Sequence, residues 1–478
     1  MSGVSAAQDG GPVAGTTASS RSPYTLAIAA DTDRSLVRGW LWLGLLALIV
    51  SGVYSILLVA SRTPGINAML PVADFFRVAL VVHVDLSVLV WFLALAGMLW
   101  SLSSRPRAPA LGWLALALAC AGTAMLGIAP FTGSGLPIMA NYIPVLDGGM
   151  FLYGLGVLGV AAALLVLRSL IAAPALGMAF DGSDVLRFGL NASVIATAVA
   201  LLAFAASLWL TPGGLDSQTY YEIAFWGGGH ALQFTWTLLM LVAWLWLASE
   251  IGARIPLSPR IALLLLMLAL VSVFVTPWAY LAHDVSTVEH RDLHTWAMRL
   301  GGGISIVPIG LAVVIGLVGS RRSPQPGHDA LRAALIASMI LFASGGIIGI
   351  FISGSNVRIP AHYHGCIVGV TLALMGLVYL LLPKLGYRTP QGRMACWQPS
   401  LYGAGQLMHI IGLVWSGGYG VQRKVAGAEQ ILRSKAEIAG MGLMGMGGLI
   451  AIIGGLLFVI VVWKALRAPQ SVAKEGQS

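Results

Sequence analysis

The chain has 478 residues, of which 58% are hydrophobic and only 9% charged, with a formal net charge of +9 and a mean hydropathy of +0.87. Such a composition excludes a water-soluble enzyme and leaves a polytopic membrane protein. The apolar runs are long and do not alternate, so helices rather than barrel strands satisfy the backbone in lipid.

In chain order, residues 1–37 are rich in Ser, Gly and Ala and read as a disordered cytoplasmic tail without a compact signal-peptide core. Residues 38–466 form the membrane domain and 467–478 a second tail. Within the domain about twelve apolar spans are predicted, each near the ~20 residues a bilayer requires. They lie near 39–60, 78–102, 110–130, 147–171, 190–211, 226–249, 260–282, 295–319, 330–353, 361–383, 397–417 and 438–463. Lys and Arg gather in alternate loops, which places both termini in the cytoplasm of a bacterial plasma membrane. The last outer loop breaks this rule with Arg423, Lys424, Arg433 and Lys435. Cys120, Cys366 and Cys396 form no CxxC or CxxCH pattern, so neither a c-type haem attachment nor a thiolate zinc site is predicted. Nothing in the chain suggests nucleic-acid binding.

Five of the nine histidines fall at one depth near the outer ends of four spans: His83, His230, His283, His362 and His364. A shared depth points to a layer of metal or haem ligands, since neutral imidazole is the commonest metal ligand. In "RIPAHYHGCIVGV", His362 and His364 are separated by about 200° around a helix. They cannot chelate one ion and must serve two centres, one on each side of the helix.

These positions resemble the catalytic subunit of the haem–copper oxidase superfamily, which includes cytochrome oxidases and nitric oxide reductases. The resemblance covers about residues 38–464 and implies an all-α bundle of twelve membrane helices. It implies that His83, in "VVHVDLSVLVWF", and His364 hold a low-spin haem, and that His362 holds a high-spin haem. It further implies that His230, in "FWGGGHALQF", and the end of the seventh span hold a non-haem metal, and that Arg423 and Lys424 pair with haem propionates.

Three departures bear on the reaction. Where the family has two adjacent histidines, "YLAHDVSTVEH" offers His283 and Asp284. Taken with His230, that is a two-histidine, one-carboxylate set, which suits iron better than copper. The other reading of Asp284 is the first residue of the outer loop. Glu289, His290, Asp292 and His294 follow in that loop and make a substitute ligand available nearby, although each by itself reads as solvated. Second, Phe234 stands where oxygen reductases commonly carry a tyrosine. Gln233 is a further potential ligand, and Tyr280 is either a phenol donor or an interface anchor. Third, the inner halves of the seventh and eighth spans lack acids and lysines, while Asp216, Glu222, Glu289 and Asp292 lie outside.

The departures favour a non-pumping nitric oxide reductase with His230, His283, Asp284 and His362 as its catalytic set. The alternatives are a terminal oxygen reductase with copper or, in another class, a haem electron carrier or transporter. Two haems, one low-spin and one high-spin, and one non-haem metal are the expected cofactors. The expected electron donor is a partner subunit, a soluble cytochrome or cupredoxin, or a quinol. His409 is expected either to be a packed histidine or to touch a haem edge or quinol.

Overall fold

The computed structural model describes residues 24–60, 75–133, 135–320, 324–423 and 432–467, with side chains 58–60 left aside. Fifteen α-helices follow in order: α1 (Arg34–Ala60), α2 (Phe75–Val84), α3 (Trp91–Ser103), α4 (Pro109–Ile128), α5 (Gly149–Ile171), α6 (Gly182–Leu210), α7 (Ser217–Glu250), α8 (Pro259–Val273), α9 (Val275–Ala282), α10 (Val288–Ala297), α11 (Gly303–Val318), α12 (His328–Ile350), α13 (Arg358–Lys384), α14 (Arg393–Gly418) and α15 (Lys435–Leu466). A short antiparallel hairpin, β1 (Leu136–Ile138) with β2 (Val145–Asp147), joins α4 to α5.

The fifteen helices make twelve membrane rods, because three spans are composite. One wide-turn segment, Asp85–Val90, links α2 to α3, and another, Met298–Gly302, links α10 to α11. Helices α8 and α9 meet at Phe274. Eleven rods among the described residues are long and apolar enough to cross a bilayer. The remaining rod, α14, carries Gln398, Gln406 and His409 along its length and packs against α12, α13 and α15, with Trp397, Ile411 and Trp415 on its exposed side. The protein is thus a multi-pass membrane bundle, and its rods coincide with the predicted spans apart from their ends, most of which run longer while α5 starts and α12 stops a few residues short.

Two rods form the centre. Helices α7 and α13 are each 89% buried over their most apolar window, against 28% for α8–α9 and for α12. A helix that is apolar all round is a core helix, and one with a single exposed stripe lies at the lipid boundary. In the absence of a hydrophobic drive between rods in lipid, small residues set how closely helices approach. The α12–α13 contact shows this: a Cβ on Gly365 would stand 2.6 Å from the Cα of Gly345. Replacing Gly365 by Val is expected to separate α12 from α13, cost about 1–3 kcal/mol and lower both the melting temperature in detergent and the yield of folded protein. An unchanged melting curve would show that the two helices need no close approach there.

Candidate metal and haem centre

The site lies at the histidine-bearing ends of the rods. Its geometry starts with one recurrent bond. His83 Nδ1 meets Ser51 O at 3.0 Å, with the Ser51 and Ser55 hydroxyls at 2.9 and 3.0 Å. His230 Nδ1 meets Trp226 O at 2.9 Å, His294 Nδ1 meets His290 O at 2.8 Å, His362 Nδ1 meets Gly345 O at 2.7 Å, and His364 Nδ1 meets Pro360 O at 2.8 Å. A carbonyl only accepts, so Nδ1 carries the proton in each ring and the lone pair sits on Nε2. Metal-binding histidines are commonly oriented by such a second bond.

His362 and His364 leave α13 towards different neighbours. His362 turns to α12, where a Cβ on Gly349 would come within 2.6 Å of its Nδ1. His364 turns to α14, with its ring centroid 5.1 Å from that of His409. His409 is itself anchored to Met444 O at 3.0 Å.

A second group collects around His230. Helix α10 begins at Val288 because the Thr287 hydroxyl caps it, accepting from His290 N at 3.3 Å. His290 and His294, four residues apart, therefore share one helical face instead of lying in a solvated loop, and each is only 1% exposed. Ring centroids are 4.6 Å apart for His290–His294 and 6.0 Å for His230–His294. Both nitrogens of His290 and Nε2 of His294 are buried without a hydrogen-bond partner. Leaving such atoms dry is costly unless they serve a ligand. This corrects the expectation that His290 and His294 are solvated.

His283 and Asp284 follow directly on α9, at the edge of this group, and both carry charge within reach of His290. His283 ends α9 in extended backbone. Asp284 is exposed and accepts from the Ser286 hydroxyl at 2.5 Å and the Ser286 amide at 2.9 Å. The Ser286 hydroxyl, aided by its amide, holds the Asp284 carboxyl below the usual carboxylate range. The carboxylate is thus engaged in a turn with Ser286. Gln233 is half-buried on α7, and Phe234 is 2% exposed and fills the core.

Two tyrosines reach the group. The Tyr280 ring lies edge-on to His290 at 4.7 Å, but its hydroxyl points away to Ala203 O at 3.0 Å and to Ser207 Oγ at 2.6 Å. Tyr142, from the loop between β1 and β2, places its hydroxyl 3.0 Å from His230 Nε2. Burial, with the nearby Glu222 carboxylate second, pushes the Tyr142 phenol far above its ordinary value, so it is the donor. The glycine run of α7 admits both: a Cβ on Gly229 would collide with the Tyr142 ring at 2.2 Å, and one on Gly227 with the Tyr280 hydroxyl. Nothing in the sequence around Tyr142 marks it, whereas the four-residue spacing of His290 and His294 was a usable signal.

Above the site, Arg423 donates to Asn141 Oδ1 at 3.1 Å and Ser355 Oγ at 3.4 Å, and Asn141 donates to Glu222 Oε2 at 2.7 Å. Lys424 lies outside the described residues. Both wide-turn segments adjoin this layer, directly after His83 and shortly after His294, where such turns commonly mark functional sites. Asp85, 1% exposed with an unpartnered Oδ2, opens the first.

The family model described as "Cytochrome C and Quinol oxidase polypeptide I" matches residues 35–457. The chain belongs to this family. It is therefore a membrane oxidoreductase of the haem–copper oxidase type, as the histidine layer implied. Among its relatives is an uncharacterized protein of Rickettsia prowazekii (strain Madrid E), 29% identical over 505 residues, 91% of this chain and 96% of that protein. Another is an uncharacterized protein of Aquifex aeolicus (strain VF5), 28% identical over 365 residues, 75% of this chain and 88% of that protein.

Family members bind two haems and a copper or iron. The residues fit in chemistry: His83, His362 and His364 each keep Nε2 for a haem iron, and the orphaned nitrogens of His290 and His294 suit a metal. They do not yet fit in distance, because among the described residues no three His, Cys, Asp or Glu side chains stand close enough to hold an ion. His294→Ala is expected to abolish non-haem metal binding while Asp284→Ala leaves metal content unchanged, read by metal analysis of purified protein with haem absorbance as the folding control. Loss of the metal in Asp284→Ala would restore the carboxylate to the site.

Proposed function

We propose that this chain is the catalytic subunit of a non-pumping terminal reductase of the nitric oxide reductase type. When bound, two haems would relay the donor's electrons, and the high-spin haem iron and non-haem metal would supply Lewis acidity, for 2 NO + 2 e⁻ + 2 H⁺ → N₂O + H₂O. His83 and His364 hold the low-spin haem, His362 the high-spin haem, and His230 with His290 and His294 the metal. Arg423 and Lys424 take the haem propionates. The histidine end faces the periplasm, both termini face the cytoplasm, and electrons come from a partner subunit, a soluble cytochrome or cupredoxin, or a quinol.

The observation that carries this reading is where the protons can be held. Asn141 donates to Glu222 at 2.7 Å, and the adjoining Tyr142 reaches His230 at 3.0 Å, so the acid nearest the site stands on the histidine side. Arg260 apart, the polar side chains of α8 and α11 are Ser272 and Ser305. Their hydroxyls donate to Leu268 O at 2.9 Å and Leu265 O at 2.5 Å, leaving no relay from the opposite face through these helices. Holding both reactants in one dry space supplies much of the acceleration, and Phe234 helps to keep water out.

A second reading, a terminal oxygen reductase, is favoured by a different observation. Without Asp284 the donor set is three imidazoles, which suits copper, and Tyr142 supplies a phenol beside it. Haem, iron and copper per polypeptide, followed by anaerobic NO and aerobic O₂ consumption, separate the two. The first predicts NO turnover and a Glu222→Gln variant slowed on the order of 10- to 100-fold with unchanged haem absorbance. Rapid O₂ consumption with one copper per chain and no NO turnover would select the second.

A further inference from the structure

We propose that the histidine end of the bundle carries a docking surface for an acidic one-electron carrier, formed by Arg358, Arg423, Arg433 and Lys435 at the ends of α13, α14 and α15. The inference rests on the reading of His83 and His364 as the low-spin haem ligands. It deepens that reading by choosing among donors: a soluble protein or domain with an acidic face, not a neutral quinol or a basic cytochrome.

Charge is divided at this end of the molecule. On the side of α7, α9 and α10 the exposed carboxylates are Asp216, Asp284, Glu289 and Asp292. Two cations there are drawn onto indoles, Arg291 at 4.8 Å from the Trp226 ring and Arg299 at 5.5 Å from the Trp296 ring. On the side of α13 to α15 the sign reverses. Arg433 and Lys435 are exposed and Arg358 and Arg423 half-buried. Among the described residues none of these four forms an ion pair. Glu437, the nearby carboxylate, is 8% exposed and turns to its own backbone, accepting from the Arg433 amide at 2.6 Å. Lys and Arg are normally kept in the loops of the opposite end, so unpaired cations here call for an anionic partner.

Packing joins the four into one surface. Val357 N donates to Val421 O at 3.0 Å, which holds the segment after α14 across the start of α13, and Arg423 Nε reaches Ser355 Oγ at 3.4 Å. A Cβ on Gly417 would stand 2.7 Å from Arg358 Cγ, so the Arg358 side chain lies on the end of α14. A Cβ on Gly440 would stand 2.4 Å from Ser416 Oγ, which seats the first turns of α15 on the last turn of α14. His364 follows Arg358 on α13 at about 9 Å along the helix axis, and its ring neighbour His409 is on α14. The surface thus caps the rods beside which the electron enters. Arg423 is assigned to a haem propionate, which leaves Arg358, Arg433 and Lys435 for the carrier.

The step served is a single electron transfer. The reduced centre of the carrier loses one electron and the ferric low-spin haem iron gains it, with no bond made or broken. Attraction between an acidic face and these cations speeds encounter and sets orientation, and salt screens it over about 8–10 Å.

The test uses the full-length, haem-loaded protein in phosphatidylcholine nanodiscs, with two readouts. A fluorescein-labelled hexaglutamate peptide reports binding independently of haem. Stopped-flow absorbance of the low-spin haem follows its reduction by Fe(II)–EDTA, an anion, and by hexaammineruthenium(II), a cation. Between about 20 and 200 mM salt the Fe(II)–EDTA rate should fall roughly 3- to 10-fold while the hexaammineruthenium rate does not fall. Arg433→Glu/Lys435→Glu changes two exposed positions outside the haem and metal sites. It should weaken peptide binding and slow Fe(II)–EDTA by a similar factor at low salt, with haem absorbance and melting temperature unchanged. Equal peptide binding by wild type and variant, or reduction indifferent to probe charge, overturns the docking surface and leaves the haem reading in place. A protein that binds the peptide but shows no bis-histidine haem spectrum overturns the haem reading, and the carrier with it. If wild type and variant differ in phosphatidylcholine but not in phosphatidylglycerol discs, lipid headgroups occupy the surface and the proposal falls.

Discussion

The structure depends on a hydrogen bond from imidazole Nδ1 to a backbone carbonyl, made by His83, His230, His294, His362, His364 and His409. In three of these the acceptor is four residues back on the same helix, which fixes the ring against its own rod. In the other three the acceptor belongs to a neighbour: α1 for His83, α12 for His362 and α15 for His409. These bonds set the tautomer and the ring orientation, and they tie rods together where lipid provides no hydrophobic force between helices. A buried imidazole is costly unless partnered, and the carbonyl supplies a partner without using Nε2.

Close packing makes those bonds reachable. Gly345 and Gly365 bring α12 against α13, so a carbonyl of one helix falls within reach of a ring on the other. The glycines of "GMGLMGMGG" do the same for α15: a Cβ on Gly447 would stand 2.4 Å from His409 N. Gly227 and Gly229 differ in purpose, since they make room for phenols beside His230 and His294. Glycine thus serves helix approach in one part of the bundle and room for aromatic side chains in another.

The two histidine groups differ in how finished they are. The rings expected to hold haem are anchored and keep Nε2 available. The group around His230 is mixed, with His290 wholly unpartnered, His294 half-anchored and His230 closed by Tyr142. The Asn141–Glu222–Arg423 cluster lies beside this second group, on the loop that carries Tyr142.

The sequence by itself determined the membrane class, the placement of the rods and the helix that each histidine of the layer belongs to. Apolar run length and helical periodicity are local properties, and lipid enforces them. It also determined that His362 and His364 diverge, because two residues always turn a helix by more than half a circle. Only the tertiary structure decided which side chains meet. Asp284 turned to Ser286, and a Thr287 cap converted a supposed loop into a helix that buries His290 and His294. Tyr142 reached His230 from 88 positions away in the chain. Such contacts depend on where a cap starts a helix and how near two rods approach, and neither is written in the spacing of the residues concerned.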